Sequence, residues 1–215
     1  MGKYTRENVN GYTHLAGAIL SFIGLLAMVI KTTLYNPTTV SITAVIIFGI
    51  SMILLYAASA TYHLVISTDK VLKFLRKLDH SMIYILIAGS YAPFCLISLK
   101  GVQGWLLYSI IAIAAVAGVV FKMVWFKCPR WLSTLLYVAL GWLAVFLIVP
   151  LYKALSLVGV SLLVLGGIFY TIGALIYGLK PKWMNIKGIG YHEVFHIFIM
   201  LGSLTHFLCV FWYVI

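Results

Sequence analysis

The chain has 215 residues, of which 64% are hydrophobic and 9% are charged, and its mean hydropathy is +1.11. Soluble domains carry about 25% charged residues, so this composition excludes a soluble fold and leaves no room for a separate catalytic or DNA-binding domain. The net charge of +11 then indicates basic loops that orient a membrane protein, and nucleic acid is not an expected partner.

Seven apolar runs predict seven transmembrane helices, because one span requires about 20 apolar residues. We expect a single all-α domain over residues 1–215, in which the first run is retained as a span because it is too long for the core of a signal peptide. The runs are 12–30, 40–66, 81–99, 105–124, 131–151, 157–179 and 191–215. The polar or basic breaks between them are 31–39, 67–78, 100–104, 126–130, 150–156 and 180–190.

Basic residues are distributed unevenly between alternate connections, which predicts the orientation of the bundle. This distribution predicts a cytoplasmic N-terminus and an external C-terminus, the reverse of the arrangement in G-protein-coupled receptors. The last run also lacks a lysine for a retinal Schiff base. The twelve on the N-terminal side are Lys3, Arg6, Lys70, Lys73, Arg76, Lys77, Lys122, Lys127, Arg130, Lys180, Lys182 and Lys187, against Lys31, Lys100 and Lys153 on the other side.

The strongest candidate for chemistry is the pair His192 and His196 at the start of the seventh run. Residues i and i+4 share a helix face, so both imidazoles can bind one metal ion; the alternative is two interfacial histidines bonded to loop carbonyls. A catalytic zinc site has three protein ligands and one open position, and His63, at the same end of the second run, is the best third ligand. Ser59 lies one turn deeper, where its hydroxyl bonds either a substrate carbonyl, the water at the metal, or its own helix.

Two acids are candidates for proton transfer at this site. Asp79 opens the third run at the same end, and its carboxylate either holds and deprotonates the water at the metal or stabilises the first turn of its helix. Glu193 lies between the paired histidines in the zincin pattern His-Glu-x-x-His, in which the glutamate is the general base. Because Glu193 equally suits a first-turn helix carboxylate, Asp79 is preferred as the base.

Other polar residues in the apolar runs have less specific interpretations. His206 lies 14 residues after His192, about 21 Å along a helix, so it cannot bind the same ion and is expected to hydrogen-bond between helices. Glu7, Asn10 and His14 form one polar stripe at the start of the first run. This stripe is either a lid bonded to the metal site or a cap where the first span enters the membrane.

Four short motifs together resemble the haemolysin III family, the bacterial branch of the progestin and adipoQ receptor superfamily. They are Glu7-x-x-Asn10-x-x-Thr13-His14, Ser59-x-x-x-His63, Asp79 with Gly89-Ser90-Tyr91-Ala92-Pro93-Phe94, and His192-x-x-x-His196. The resemblance implies a seven-helix bundle in the bacterial plasma membrane, with a cytoplasmic N-terminus and one bound zinc ion. The residues that it implies at the zinc are His63, His192 and His196, with Asp79 near the water at the metal and Ser59 close by.

The resemblance implies two kinds of function. The superfamily is similar to alkaline ceramidases, which implies zinc-dependent hydrolysis of a lipidic amide or ester bond, linked to membrane lipid homeostasis. The alternative is a non-enzymatic sensor or receptor of membrane state, or a cytolysis-associated membrane protein, in which the zinc is structural. Membrane lipids are the expected partners in either case, and the sequence gives no prediction of oligomeric state.

Overall fold

The computed structural model describes residues 6–99, 101–184 and 190–215. No strand occurs in this part of the chain, which confirms the predicted all-α class, and six helical stretches within it are long and apolar enough to cross a membrane. The chain is therefore a multi-pass membrane protein.

The helices are α1 (Asn8–Tyr35), α2 (Thr39–Leu64), α3 (Asp69–Pro93), α4 (Gly101–Val124), α5 (Arg130–Gly141), α6 (Ile148–Leu179) and α7 (Tyr191–Cys209). Helix α3 continues as a π-helical segment, Phe94–Leu99, and α7 as Val210–Val214, while 3₁₀ segments Trp142–Leu147 and Lys182–Met184 follow α5 and α6.

The apolar side chains form two populations, as expected for a bundle surrounded by lipid. Large residues such as Leu26, Ile113 and Val145 are exposed on the outer surface, where in water they would form an extensive apolar patch. Others, including Met28 and Phe48, are completely buried between helices. The outward-facing population matches the acyl chains of a bilayer, so the composition of the chain is explained by its environment.

The segment 130–179 folds back on itself at Ser156. The φ angle of Ser156 is 64°, in the left-handed region, within what is otherwise continuous helix. Trp142 and Thr171 lie before and after Ser156 in the sequence, and Trp142 Nε1 donates a hydrogen bond to Thr171 Oγ1 at 2.8 Å. Helix α5 and its 3₁₀ extension therefore lie antiparallel to the second part of α6.

Several predicted breaks are longer than the observed ones, and two of them show the physical reason. The break predicted at 67–78 is wrong, because α3 already begins at Asp69. That prediction relied on apolar content. A helical turn outside the hydrocarbon region needs no apolar residues, only residues that favour helix, such as lysine and arginine. The break predicted at 150–156 is shorter than expected: Pro150 lies in the first turn of α6, where the missing amide hydrogen has no helical partner to lose.

Helices that follow one another along the chain run in opposite directions, which brings most of the basic residues to one end of the bundle. There, Lys77 Nζ of α3 donates to the carbonyl of Met123 in α4 at 2.5 Å, and Arg130 of α5 lies 5.8 Å from the ring centroid of Tyr177 in α6. The start of α7 and the end of α2 meet at the same end. We call it the basic end; its described cations are Arg6, Lys70, Lys73, Arg76, Lys77, Lys122, Lys127, Arg130 and Lys180.

Two residues of the α3 motif fix how α3 packs. A Cβ at Gly89 would lie 2.1 Å from Ser51 Oγ of α2, so only glycine permits this close helix contact. Tyr91 Oη donates to the Gly141 carbonyl at 2.7 Å and accepts from the Ala144 amide at 2.9 Å. Tyr91 therefore satisfies the backbone where α5 gives way to 3₁₀ geometry, and it holds α5 against α3.

Candidate metal centre

Three histidines from two helices meet at the basic end of the bundle. His63 lies in the last turn of α2, and His192 and His196 lie one turn apart at the start of α7. One ring nitrogen of each lies within 4.8 Å of the others, and the Nε2 atoms of His63 and His192 are 3.4 Å apart. The structure thus brings together the three residues that the sequence singled out, and the group can hold a metal ion.

The spacing of these rings fits a tetrahedral metal. Zinc–nitrogen bonds of about 2.0–2.1 Å at tetrahedral angles place ligand nitrogens about 3.3 Å apart, which the pair His63 and His192 already matches. His63 and His196 are 1% and 2% exposed, and Nδ1 of His196 is buried without a hydrogen-bond partner in the described part of the chain. Three imidazole nitrogens grouped in a largely buried space suit zinc chemistry.

Glu7 holds the His63 ring from the side away from His192. His63 Nδ1 donates to Glu7 Oε2 at 2.7 Å, and the Glu7 amide donates to the His63 carbonyl at 3.1 Å. The hydrogen bond from His63 is the main reason that the pKa of Glu7 is lowered to about 2, although partial burial opposes the shift. The carboxylate therefore stays ionised at neutral pH and leaves Nε2 of His63 as the free nitrogen, an arrangement typical of metal-binding histidines.

Asn10 connects this carboxylate to Glu193. Its Nδ2 donates to Glu7 Oε2 at 3.3 Å and to Glu193 Oε1 at 2.9 Å. The second oxygen, Glu193 Oε2, accepts from the Gly190 amide at 2.8 Å and caps the start of α7. Because both Glu193 oxygens are engaged in this way, the geometry favours the helix-capping interpretation of Glu193 over the zincin interpretation.

The remaining residue of the N-terminal polar stripe also lies against the three histidines. The His14 ring stacks on the His196 ring, with centroids 3.6 Å apart and planes 11° from parallel. His14 is buried, and neither of its ring nitrogens has a hydrogen-bond partner among the described residues. The stripe therefore covers the candidate metal centre, which is the first of the two alternatives that the sequence left open.

Asp79 and Ser59 line a cavity beside the histidines. The cavity has a volume of about 380 Å³, and His192 and His196 form part of its wall. Ser59 Oγ is buried near the Asp79 carboxyl, without a hydrogen bond of ordinary geometry between them. The structure thus places both residues at the same end of the bundle as the metal candidate, on the wall of a cavity that His192 and His196 also line.

The far end of this cavity is apolar and reaches His206. Its wall there includes Phe94 and Leu163, and His206 Nε2 donates to the Leu163 carbonyl at 3.1 Å, which links α7 to α6. A Cβ at Gly166 would lie 2.1 Å from the His206 ring, so the absence of a side chain at Gly166 makes room for this histidine. His206 therefore has the interhelical role that the sequence predicted, and it does not belong to the three-histidine group.

Replacing Glu7 with glutamine is expected to weaken metal binding about 10- to 100-fold, the usual effect of removing a carboxylate that orients a histidine ligand. The neutral amide accepts a weaker hydrogen bond from His63 Nδ1, so the ring is less well oriented. Competition with a chelating dye on the purified full-length protein measures the affinity. Asp69→Asn, which removes an acid outside this hydrogen-bond network, should keep the wild-type affinity; equal affinity in the Glu7→Gln protein would contradict the role given to Glu7.

Comparisons with known proteins place these residues in a family context. A family model described as haemolysin-III related matches residues 3–207. The chain is 39% identical to Hemolysin-3 of Bacillus cereus, over 100% of this chain and 95% of that protein, and 40% identical to the Hemolysin-3 homolog of Bacillus subtilis (strain 168), over 96% and 93%. It is also 25% identical to Heptahelical transmembrane protein 1 of Arabidopsis thaliana, over 95% of this chain and 68% of that protein.

Proposed function

Since the chain belongs to the haemolysin-III related family, we propose that it is a zinc-dependent membrane hydrolase that cleaves an amide or ester bond of a lipid. The observation that carries the proposal is the convergence of His63, His192 and His196 at one end of a largely apolar cavity that also contains a carboxylate. Neutral imidazoles favour zinc over magnesium or calcium. A lipid whose acyl chain occupies the cavity would place its carbonyl group near the histidines.

Bound zinc would polarise the substrate carbonyl and lower the pKa of a water molecule beside it. Asp79, the carboxylate that lines the cavity with His192 and His196, accepts the proton of the attacking water and returns it to the leaving group. Ser59 donates its hydroxyl hydrogen to the substrate carbonyl and fixes its orientation. The apolar wall excludes water from the acyl chain, so that the reacting group is held in one position.

Release of fatty acid tests this proposal. The purified full-length protein, in an uncharged detergent, is incubated with an N-acylated and an O-acylated lipid, and free fatty acid is measured by mass spectrometry. Removal of the metal with a chelator should abolish the release, and zinc should restore it where calcium and magnesium do not. Release that continues unchanged in metal-free protein would contradict a zinc-dependent hydrolase.

A second candidate function follows from the way in which the histidines connect the helices. Through Glu7 and His14 the cluster joins α1 to α2 and α7, so a metal bound there would also hold three helices together. This arrangement suits a non-enzymatic sensor or receptor of membrane state, or a cytolysis-associated protein, with a structural metal. We rank it second, because a structural metal needs neither a cavity nor Asp79 on its wall.

We further propose that the chain forms one domain with seven spans in the bacterial plasma membrane, with the N-terminus in the cytoplasm. The reversal at Ser156 supports this count, because segments 130–155 and 157–179 each exceed the about 20 residues that one span requires. The name of the Arabidopsis thaliana relative, a heptahelical protein, agrees with the same number. The concentration of Lys and Arg at one end supports the orientation.

Reporter fusions distinguish seven spans from six. With seven spans, fusions ending at Lys77, Lys127 and Lys180 should all report the cytoplasm, and fusions at Lys153 and Ile215 the opposite side. A single span over 130–179 would place Lys127 and Lys180 on opposite sides. Opposite signals from these two fusions would therefore contradict the seven-span topology, and equal signals at Lys77 and Ile215 would contradict the orientation or the count.

A further inference from the structure

A second cavity at the basic end is lined by a large excess of cations. Its volume is about 650 Å³. Asp69 is an acid on its wall, and no ion pair joins Asp69 to these cations within the described residues. Such an excess of positive charge in a confined space attracts an anion. The cations on the wall are Arg6, Lys73, Arg76, Lys122, Lys127 and Arg130.

Lys122 is the deepest of these cations and has no anionic partner among the described residues. It is 4% exposed, and its Nζ contacts only neutral groups, Ser133 Oγ at 2.5 Å and Cys128 Sγ at 3.5 Å. An ammonium group removed from water without a counter-charge is costly. Because Lys122 lines the cavity, an anion bound there would supply the missing charge and would also be within reach of Ser133.

Two arginines lie around the same space. Arg76 lies 5.5 Å from the ring centroid of Phe126, and Lys122 lies 5.6 Å from the same ring. Arg130 lies over the Tyr177 ring, and its Nη1 is buried without a hydrogen-bond partner in the described part of the chain. Guanidinium groups bind phosphate through paired N–H donors, and a lysine adds a point charge. This set is therefore suited to a phosphate group.

The basic cavity adjoins the apolar cavity of the candidate metal centre. His80 and Tyr177 line both, and the distance of 3.4 Å between His80 Nε2 and Tyr177 Oη is long for a hydrogen bond. The two side chains that border both the cationic space and the apolar space are thus only weakly bonded to each other. An amphipathic anion can occupy both spaces by passing between them.

We infer that the basic cavity binds the phosphate group of an acylated phospholipid whose acyl chain occupies the apolar cavity, with Lys122, Arg76 and Arg130 as the phosphate ligands. The identification of this lipid as the substrate rests on the proposed function. The binding of phosphate does not, because it depends on residues outside the three-histidine group. In this arrangement the acyl linkage, which joins the phosphate-bearing headgroup to the chain, lies near Asp79.

Binding to a matched pair of lipids tests the inference. We would measure the dissociation constants of 1-oleoyl lysophosphatidic acid and 1-oleoylglycerol, which differ only in the phosphate, by calorimetry. The full-length protein is used in uncharged detergent and without metal, so that hydrolysis does not consume the lipid. We expect the phosphate-bearing lipid to bind at least tenfold more tightly, because a charge-assisted hydrogen bond contributes about that factor or more.

Variants identify the cavity as the place of binding. Lys122→Gln and the double variant Arg76→Gln, Arg130→Gln should each weaken lysophosphatidic acid binding about tenfold or more and leave oleoylglycerol binding within about twofold. Lys153→Gln makes the same charge change at an exposed position outside the cavity and should change neither affinity. If Lys122→Gln does not fold, the double variant decides the same question, because Arg76 is exposed and Arg130 is only partly buried.

Inorganic phosphate distinguishes a lipid from a soluble ligand. Weak competition by phosphate supports the lipid headgroup, whereas phosphate that binds as tightly as the lipid, and is weakened by the same variants, keeps the anion site and overturns the lipid assignment. Equal affinities for the two lipids, or variants that change nothing, overturn the inference itself. If lysophosphatidic acid binds as expected and metal-loaded protein still releases no fatty acid from any lipid, the proposed function fails and the phosphate site stands.

Discussion

Asparagine in place of Asp79 is expected to lower lipid hydrolysis about 10²- to 10⁴-fold, the usual contribution of a general base, while the zinc content stays unchanged. The amide cannot accept the proton of the attacking water. Metal binding should not depend on Asp79, because the candidate ligands are the three grouped histidines. Fatty acid release and metal analysis on the same purified sample measure both quantities. Of the two proposed functions, only the hydrolase predicts that activity is lost while the zinc content is kept.

Glu193→Gln is the paired control for Asp79→Asn. Glu193 caps α7 and bonds to Asn10, so its replacement should lower stability more than catalysis, and activity per folded molecule should remain close to wild type. Loss of activity in Glu193→Gln with normal activity in Asp79→Asn would favour the zincin-like alternative. Zinc-loaded Asp79→Asn protein with wild-type activity would instead leave the structural or sensor function in front.

Alanine in place of His63, His192 or His196 is expected to reduce zinc from about one ion per chain to a small fraction of that value. Each substitution removes a nitrogen donor, so the loss of affinity should exceed the about 10- to 100-fold effect of an orienting partner such as Glu7. Metal analysis after dialysis against a weak chelator measures the content, and activity should fall in parallel.

His206→Ala is the matched control for the ligand variants. His206 is buried on the same helix as His192 and His196, and it bonds to the Leu163 carbonyl, so its loss costs stability and leaves the zinc in place. Full zinc retention by all three ligand variants would exclude the site. Zinc loss in His206→Ala protein that is still folded would show that metal content follows general packing.

Features that depend on composition or on a single helix follow from the amino-acid sequence alone. The lack of charge required a membrane environment, and most helices could be located because a bilayer needs long apolar runs. His192 and His196 could be paired without a structure, because an i,i+4 spacing fixes two side chains on one face whatever surrounds the helix. The start of α3 was misplaced, since helix outside the hydrocarbon region carries no apolar signal.

Which residues from different helices meet depends on how the helices pack together. Rotation and depth of one helix against another depend on close contacts such as Gly89 against Ser51, and no periodicity within a single helix encodes them. The hydrogen bond from His63 to Glu7 and the bridge from Asn10 to Glu193 arise in this way, and so does the burial of Lys122 in a cavity shared by several helices. The pattern of charges along the chain showed that this end is basic; the packing of the helices determined that part of that charge lines a cavity.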